Sequence, residues 1–284
     1  MSRNRGRVGG SRKRNAKPPP PATTKKQEPT AGLSFVIPTE FVELPSRGKL
    51  YGEGHPLCGQ ETIEIRHMTA KEEDILTSRA LLKKGLALER LISNIIVDKS
   101  IDPSTLLVGD RNAIIIAARI SGYGNEYETK INCPSCKTTQ EYKFDLHDAS
   151  IYEGSEVLDA YDKNCTFDIE LPRTKAIVTF KLLTGKEEKL MVNAMEHARK
   201  HKVEEKNVTH QLNQLVVAVN GDTSAQTKNY LIQNIPSMDS RHIRTSYDIA
   251  CPNVDLTQVF ECSECDYTQD MEVPLTADFF WPDR

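Results

Sequence analysis

Polar and apolar residues alternate with the period of a strand in two places along the chain. In "TIEIRHM" (62–68) Ile63 and Ile65 fall on one face, and in "IVTFKLL" (177–183) Val178 and Phe180 do the same. Each run leads into a helix start. Thr69 stands three residues before Glu72, and Thr184 three before Glu187, the spacing of a capping box in which hydroxyl and carboxylate satisfy each other's amides. Carboxylates in the first turn also suit the positive end of the helix dipole. Apolar positions at helical spacing, as in "LALERLISNIIV", then predict helices over 70–83, 86–97 and 110–121. A second series is predicted over 185–203, 207–219, 226–233 and 239–249. Asp110 in "GDRN" reads as the N-cap of its helix, and Gly122 in "SGYGNEY" as a helix stop. Each series closes on a strand, a Cys-x-x-Cys turn and a second strand. The fold class is therefore α+β.

The second series reads as a copy of the first. At an offset of 129, Cys133 and Cys136 meet Cys262 and Cys265, Gln140 meets Gln269, and Asp110 meets Asp239. Further upstream, after shifts, "TIEIRHMTAKEEDIL" meets "IVTFKLLTGKEEKLM", and "VELP" (42–45) meets "IELP" (169–172). Four blocks in the same order point to an internal duplication. The expected organisation is an arm over 1–34, a first copy over 35–150 and a second over 151–284.

Composition enters where the charge does. Residues 1–32 carry nine Lys/Arg against one Glu, so the net charge of -3 leaves about -11 on the remainder. The arm has few apolar residues and a proline run, and is expected to be disordered. It is either a solubilising extension or a contact with nucleic acid or an acidic surface, with Arg12, Lys13 and Arg14 as candidate contacts. No apolar run is long enough for a membrane span. The polar, basic start suggests no secretory signal and a reducing compartment. Seven cysteines, an odd count, argue against a disulfide framework there.

The paired cysteines carry the candidate chemistry. Cys-x-x-Cys on a tight turn between strands is the geometry of a zinc knuckle, and two knuckles supply four thiolates. Such a set is closed to water and hence structural. Cys133, Cys136, Cys262 and Cys265 are the expected ligands, brought together by the fold across 126 residues. A redox pair would open a helix, whereas strand-like residues follow here. Cys58, Cys165 and Cys251 read as ordinary small apolar residues. His197 and His201 share a helix face in a charged run, which reads as solvated. No nucleophile–base constellation or phosphate loop is present, and the chain is expected to be non-enzymatic. The loop "SRGKLYGEGHPLCG" carries Arg47, Lys49, Tyr51 and His55 among glycines and prolines, and is a candidate partner contact.

"VELPSRGKLY", "IEIRHMTAKEEDIL", "LLVGDRNAIIIAARISGYGNEY" and "CPSC" resemble the tailed-phage baseplate family typified by the T-even myovirus baseplate hub protein. The resemblance is strong over 36–148 and looser beyond, through "LLTGKEE" and "CSEC". It implies a non-enzymatic protein of a contractile tail, in or near the central hub. The neighbours it implies are hub, spike, tube and tape-measure proteins within a multi-subunit assembly. It further implies synthesis in the host cytoplasm and residence in the virion. The alternative is a zinc-ribbon protein that binds nucleic acid through its basic arm, against which the acidic "ECSECDYTQD" counts.

Overall fold

The alternation at 62–66 forms strand β2 (Thr62–Arg66), paired antiparallel with β1 (Thr39–Glu43) so that Val42 faces Ile63. These contacts come from a computed structural model of the chain, which describes residues 36–154, 165–203, 206–274 and 277–280. The basic arm, with Arg12, Lys13 and Arg14, lies outside the described residues. Ile63 and Ile65 both turn into the core.

After β2 come α1 (Ala70–Thr77), α2 (Arg79–Lys83) and α3 (Ala87–Ile95). The single helix expected over 70–83 is broken at Ser78, whose extended backbone interrupts the ladder. The long helix α4 (Val108–Tyr123) starts earlier than expected. Leu107 occupies the N-cap position, and Asp110 lies inside the first turn instead of capping it. Gly122 is helical rather than a stop. The chain leaves the helix at Gly124, whose φ of 84° is a conformation glycine adopts without strain. A hairpin of β3 (Glu126–Asn132) and β4 (Thr139–Asp145) follows, then β5 (Ser150–Tyr152).

The second series begins with β6 (Thr166–Glu170) and β7 (Ile177–Lys181), antiparallel as β1 and β2 are. Helices α5 (Gly185–His201) and α6 (Asn207–Leu215) come next. The helix expected to reach 219 ends at Leu215, and Val216–Val219 form β8 on the other edge of β7. Three valines in four positions have stiff side chains that pack better on a pleated surface than in a helical turn. Helices α7 (Ala225–Asn234) and α8 (Ser237–Ala250) lead to β9 (Asn253–Asp255) and a last hairpin, β10 (Thr257–Glu261) with β11 (Thr268–Glu272).

The two series share one large core, in which Ile65, Leu91, Ile114, Phe144, Phe180 and Phe260 are buried together. A smaller core lies beneath β6–β8, built on Leu171, Val178, Leu212, Val216 and Ile243. Backbone contacts stitch the series as well. Strand β5 pairs with β9, Ile151 opposite Val254. Leu107 bridges Thr184, with Val108 N–H donating to the Leu183 carbonyl and Gly185 N–H to that of Leu106. Arg119 is wholly buried in α4 and donates to the carbonyls of Phe279, Gly124 and Glu126 at 2.6, 2.6 and 3.0 Å, fastening the end of the described chain to its centre.

Candidate metal centre

Each Cys-x-x-Cys pair sits in the turn of a two-stranded hairpin, β3–β4 or β10–β11. The turns are built alike. Cys133 N–H donates to the Thr138 carbonyl, and Cys262 N–H to that of Tyr267, each at 2.9 Å. The residue after the second cysteine has a left-handed backbone in both turns, Lys137 at φ 63° and Asp266 at φ 51°. That conformation folds the strand back and leaves both sulfurs of the pair on one side.

The hairpins then lie against each other. Tyr142 Oη donates to the Val259 carbonyl at 2.9 Å, and its ring packs on Phe260 with centroids 5.1 Å apart. Gln140 donates to the Glu261 carbonyl and accepts from Ser263 N–H, at 3.2 and 3.1 Å. Gln258 Nε2 donates to the Asp145 carbonyl at 2.6 Å. The result is a cluster of Cys133, Cys136, Cys262 and Cys265 whose sulfurs all lie within 4.8 Å of one another.

The spacing fits one ion. Cys133 Sγ is 3.7 Å from Cys265 Sγ, and Cys136 Sγ is 3.7 Å from Cys262 Sγ. A tetrahedral site with metal–sulfur lengths of about 2.3 Å has an edge of about 3.8 Å, so the cross-hairpin distances are those of ligands around a shared centre. They are far longer than a disulfide's roughly 2.05 Å. Cys133 and Cys262 are buried and Cys136 and Cys265 exposed, so the cluster has an inner and an outer edge.

Hydrogen bonds from the Thr138 side chain and backbone draw the Cys136 thiol down to about 6. Burial, with the neighbouring sulfurs adding to it, pushes Cys265 up to about 11. Four thiolates this close repel one another, and a divalent cation reverses that balance. The donor set is soft and four in number, which suits a closed structural site and leaves no position for substrate.

The other candidates lie elsewhere. Tyr51 does not face outward from its loop. It is buried, donates to Asp110 Oδ2 at 2.7 Å and accepts from Leu107 N–H at 3.1 Å. Its ring stacks on His55 at 4.3 Å, and Leu50 and Leu57 are buried beside it. The glycine- and proline-rich loop is thus packed against α4, with Tyr51 bonded to the Asp110 carboxylate there. Arg47 pairs with Glu153 at 2.5 Å, and Lys49 is exposed. His197 and His201 lie side by side on α5, ring centroids 4.3 Å apart and planes tilted by 38°, but join no ligand cluster of three or more among the described residues. Cys251 is buried as expected, its thiol 3.5 Å from the Tyr247 hydroxyl, whereas Cys58 is exposed.

Two carboxylate pairs were not recognised as anchors from sequence. Asp110 accepts from Ser46 N–H and Oγ at 3.0 and 2.6 Å, and Asp239 accepts from the amides of Arg173 and Thr174 at 2.8 and 2.9 Å. Glu72 takes the Arg66 guanidinium at 2.7 Å, and Glu187 takes the Lys181 ammonium at 2.6 Å. The signal was present, since each pair occupies matched positions of the two similar segments.

Fold and site define a mixed α+β protein in which two distant hairpins converge on a four-cysteine cluster able to hold a metal ion. Residues 37–281 match the T4 bacteriophage base plate protein family, and the chain belongs to that family. It is thus related to the structural components of phage tails that assemble with one another. No curated protein and no solved structure matches the chain. Among the described residues, no helix is long and apolar enough to cross a membrane.

Proposed function

We propose that this chain is a non-enzymatic structural or assembly protein of the central hub region of a contractile tail baseplate, and that zinc on Cys133, Cys136, Cys262 and Cys265 ties together two copies of one duplicated unit. The observation that carries the reading is the cross-hairpin spacing of 3.7 Å, because each half contributes only two ligands. Neither knuckle completes a tetrahedron alone, so the ion acts on the pairing of the halves.

The duplication, with copies over 35–150 and 151–284, is supported by matched contacts. Asp110 holds the amide after "VELP" and Asp239 the amide after "IELP". Arg66–Glu72 and Lys181–Glu187 occupy the same step between strand and capping box. Location in the hub rests on the family and on the sequence resemblance. Arg47, Lys49 and His55 remain contact candidates on the rim of the packed loop. Nucleic acid is disfavoured because exposed Glu261, Glu264, Asp266, Asp270 and Glu272 surround the second knuckle, and phosphates would meet carboxylates.

The test is twofold. Purified virions are probed for this chain by mass spectrometry and by labelled cryo-electron microscopy, with density at the baseplate centre expected. Absence of the chain from both mature tails and isolated assembly intermediates would remove the hub reading.

A further inference from the structure

A hollow of about 270 Å³ lies where the α2–α3 turn faces α5, and it continues past Leu82 into a wider one of about 620 Å³. One wall is Leu82 and Leu88, and the other is Val192 on α5. Leu82 and Leu88 are 44% and 38% exposed, a large apolar exposure for two leucines so close in the chain. Gly85 lies between them at φ 62°, and an added Cβ there would come within 2.8 Å of Val192 Cγ1. The turn therefore approaches α5 at this corner, and the walls part to either side. The side chains that should close such an apolar seam stand open.

Charge differs between the two ends of the groove. At the α3 end the charges are satisfied, Lys189 with Glu89 at 2.9 Å and Arg111 with Glu188 at 3.2 Å. At the other end Lys84 and Arg199 line the hollow without an ion pair among the described residues, beside Lys200, which pairs with Glu196. From Glu188 to Lys200 the groove follows α5 for twelve residues, about 18 Å at 1.5 Å per residue. That length fits three turns of a partner helix.

We propose that this groove receives an amphipathic helix of another baseplate protein, with an apolar ridge at i, i+3/i+4 and i+7 laid on Leu82, Leu88 and Val192, and with Asp or Glu at the end beside Lys84 and Arg199. The inference rests on the chain being a baseplate component, and supplies the chemistry of one neighbour. A basic partner helix would meet Lys84 and Arg199 with like charge, and an extended strand would find no free edge in a groove walled by helices.

The test uses full-length chain carrying a photo-crosslinking amino acid at Leu88, expressed during infection, with cross-linked peptides sequenced from purified tails. A cross-link to another tail protein, within a helical segment with apolar spacing and acidic residues, is expected. Leu82→Asp with Leu88→Asp should cut incorporation into tails at least tenfold with an unchanged melting temperature. Lys84→Glu with Arg199→Glu should weaken incorporation more at low salt than at high salt. A cross-link to a second copy of this chain or to DNA, or incorporation unaffected by both pairs, overturns the inference. Chain absent from tails even as wild type would instead remove the baseplate reading on which it rests.

Discussion

Asp110 and Asp239 each stand in the first turn of a helix and accept the backbone amide that follows a Leu-Pro step, Ser46 in one case and Arg173 in the other. Both carboxylates are buried, at 1% and 0% exposed. They fix the connection between the two strands of each first hairpin to a helix that comes much later in the chain, and so set the packing of both series.

Removing Asp110 should be costly. Asp110→Ala leaves Ser46 N–H, Ser46 Oγ and Tyr51 Oη without their acceptor in a buried setting, a loss of about 3–5 kcal/mol. Tyr51→Phe leaves the Ser46 bonds in place but strips the buried Leu107 N–H of its acceptor, and should cost about 2 kcal/mol. Urea denaturation of the two variants checks the ranking. Equal losses would mean that Tyr51, and not the carboxylate, holds the loop.

Gly109→Ala gives a sign test. Helix propensity alone favours alanine by about 1 kcal/mol. An added Cβ at Gly109 would lie 1.8 Å from the Pro252 carbonyl oxygen, which is backbone and cannot swing away. The substitution should therefore destabilise by about 3 kcal/mol, seen as a lower thermal midpoint. A gain in stability would show that α4 does not approach the segment before β9 so closely.

The capping-box carboxylates predict acid sensitivity. Burial works to raise Glu72, but bonds from Arg66 and Thr69 overcome it and hold the group at about 2. Glu187 is held at about 2 in the same way, against its burial, by Lys181 and Thr184. A carboxylate depressed on folding contributes stability that is full above its unfolded value near 4.5 and lost as pH falls toward 2. Burial raises Asp110, whose contribution has the opposite sign, being present at low pH and lost as pH rises through its folded value. Thermal midpoints should fall between pH 4.5 and 2, and the fall should be shallower in Glu72→Gln with Glu187→Gln.

Local patterns made much of this legible in the sequence, and long-range contacts hid the rest. The two alternating strands, the capping boxes and the knuckle turns are each written within a few neighbouring residues, and they form where the spacing places them. The inward turn of Tyr51 was hidden because a Gly/Pro-rich loop signals irregular backbone and says nothing of which side chain finds an acceptor 59 residues away. Asp110 looked like a cap because its partner, Ser46, lies 64 residues upstream. Strand β8 was hidden by the ambiguity of a short apolar run, which fits a helix end or a buried strand until β7 is known to lie beside it. The groove beside α5 has no sequence signature, since exposed leucines look like core leucines.

Metal content of the purified, monomeric full-length chain tests the central claim most directly. The account predicts one zinc per chain, bound by four sulfurs at about 2.3 Å in X-ray absorption. It also predicts that Cys136→Ser or Cys265→Ser alone lowers occupancy and the thermal midpoint, because each half supplies only two ligands. Zinc-free protein of undiminished stability, or zinc retained in full after Cys262→Ser with Cys265→Ser, would contradict it.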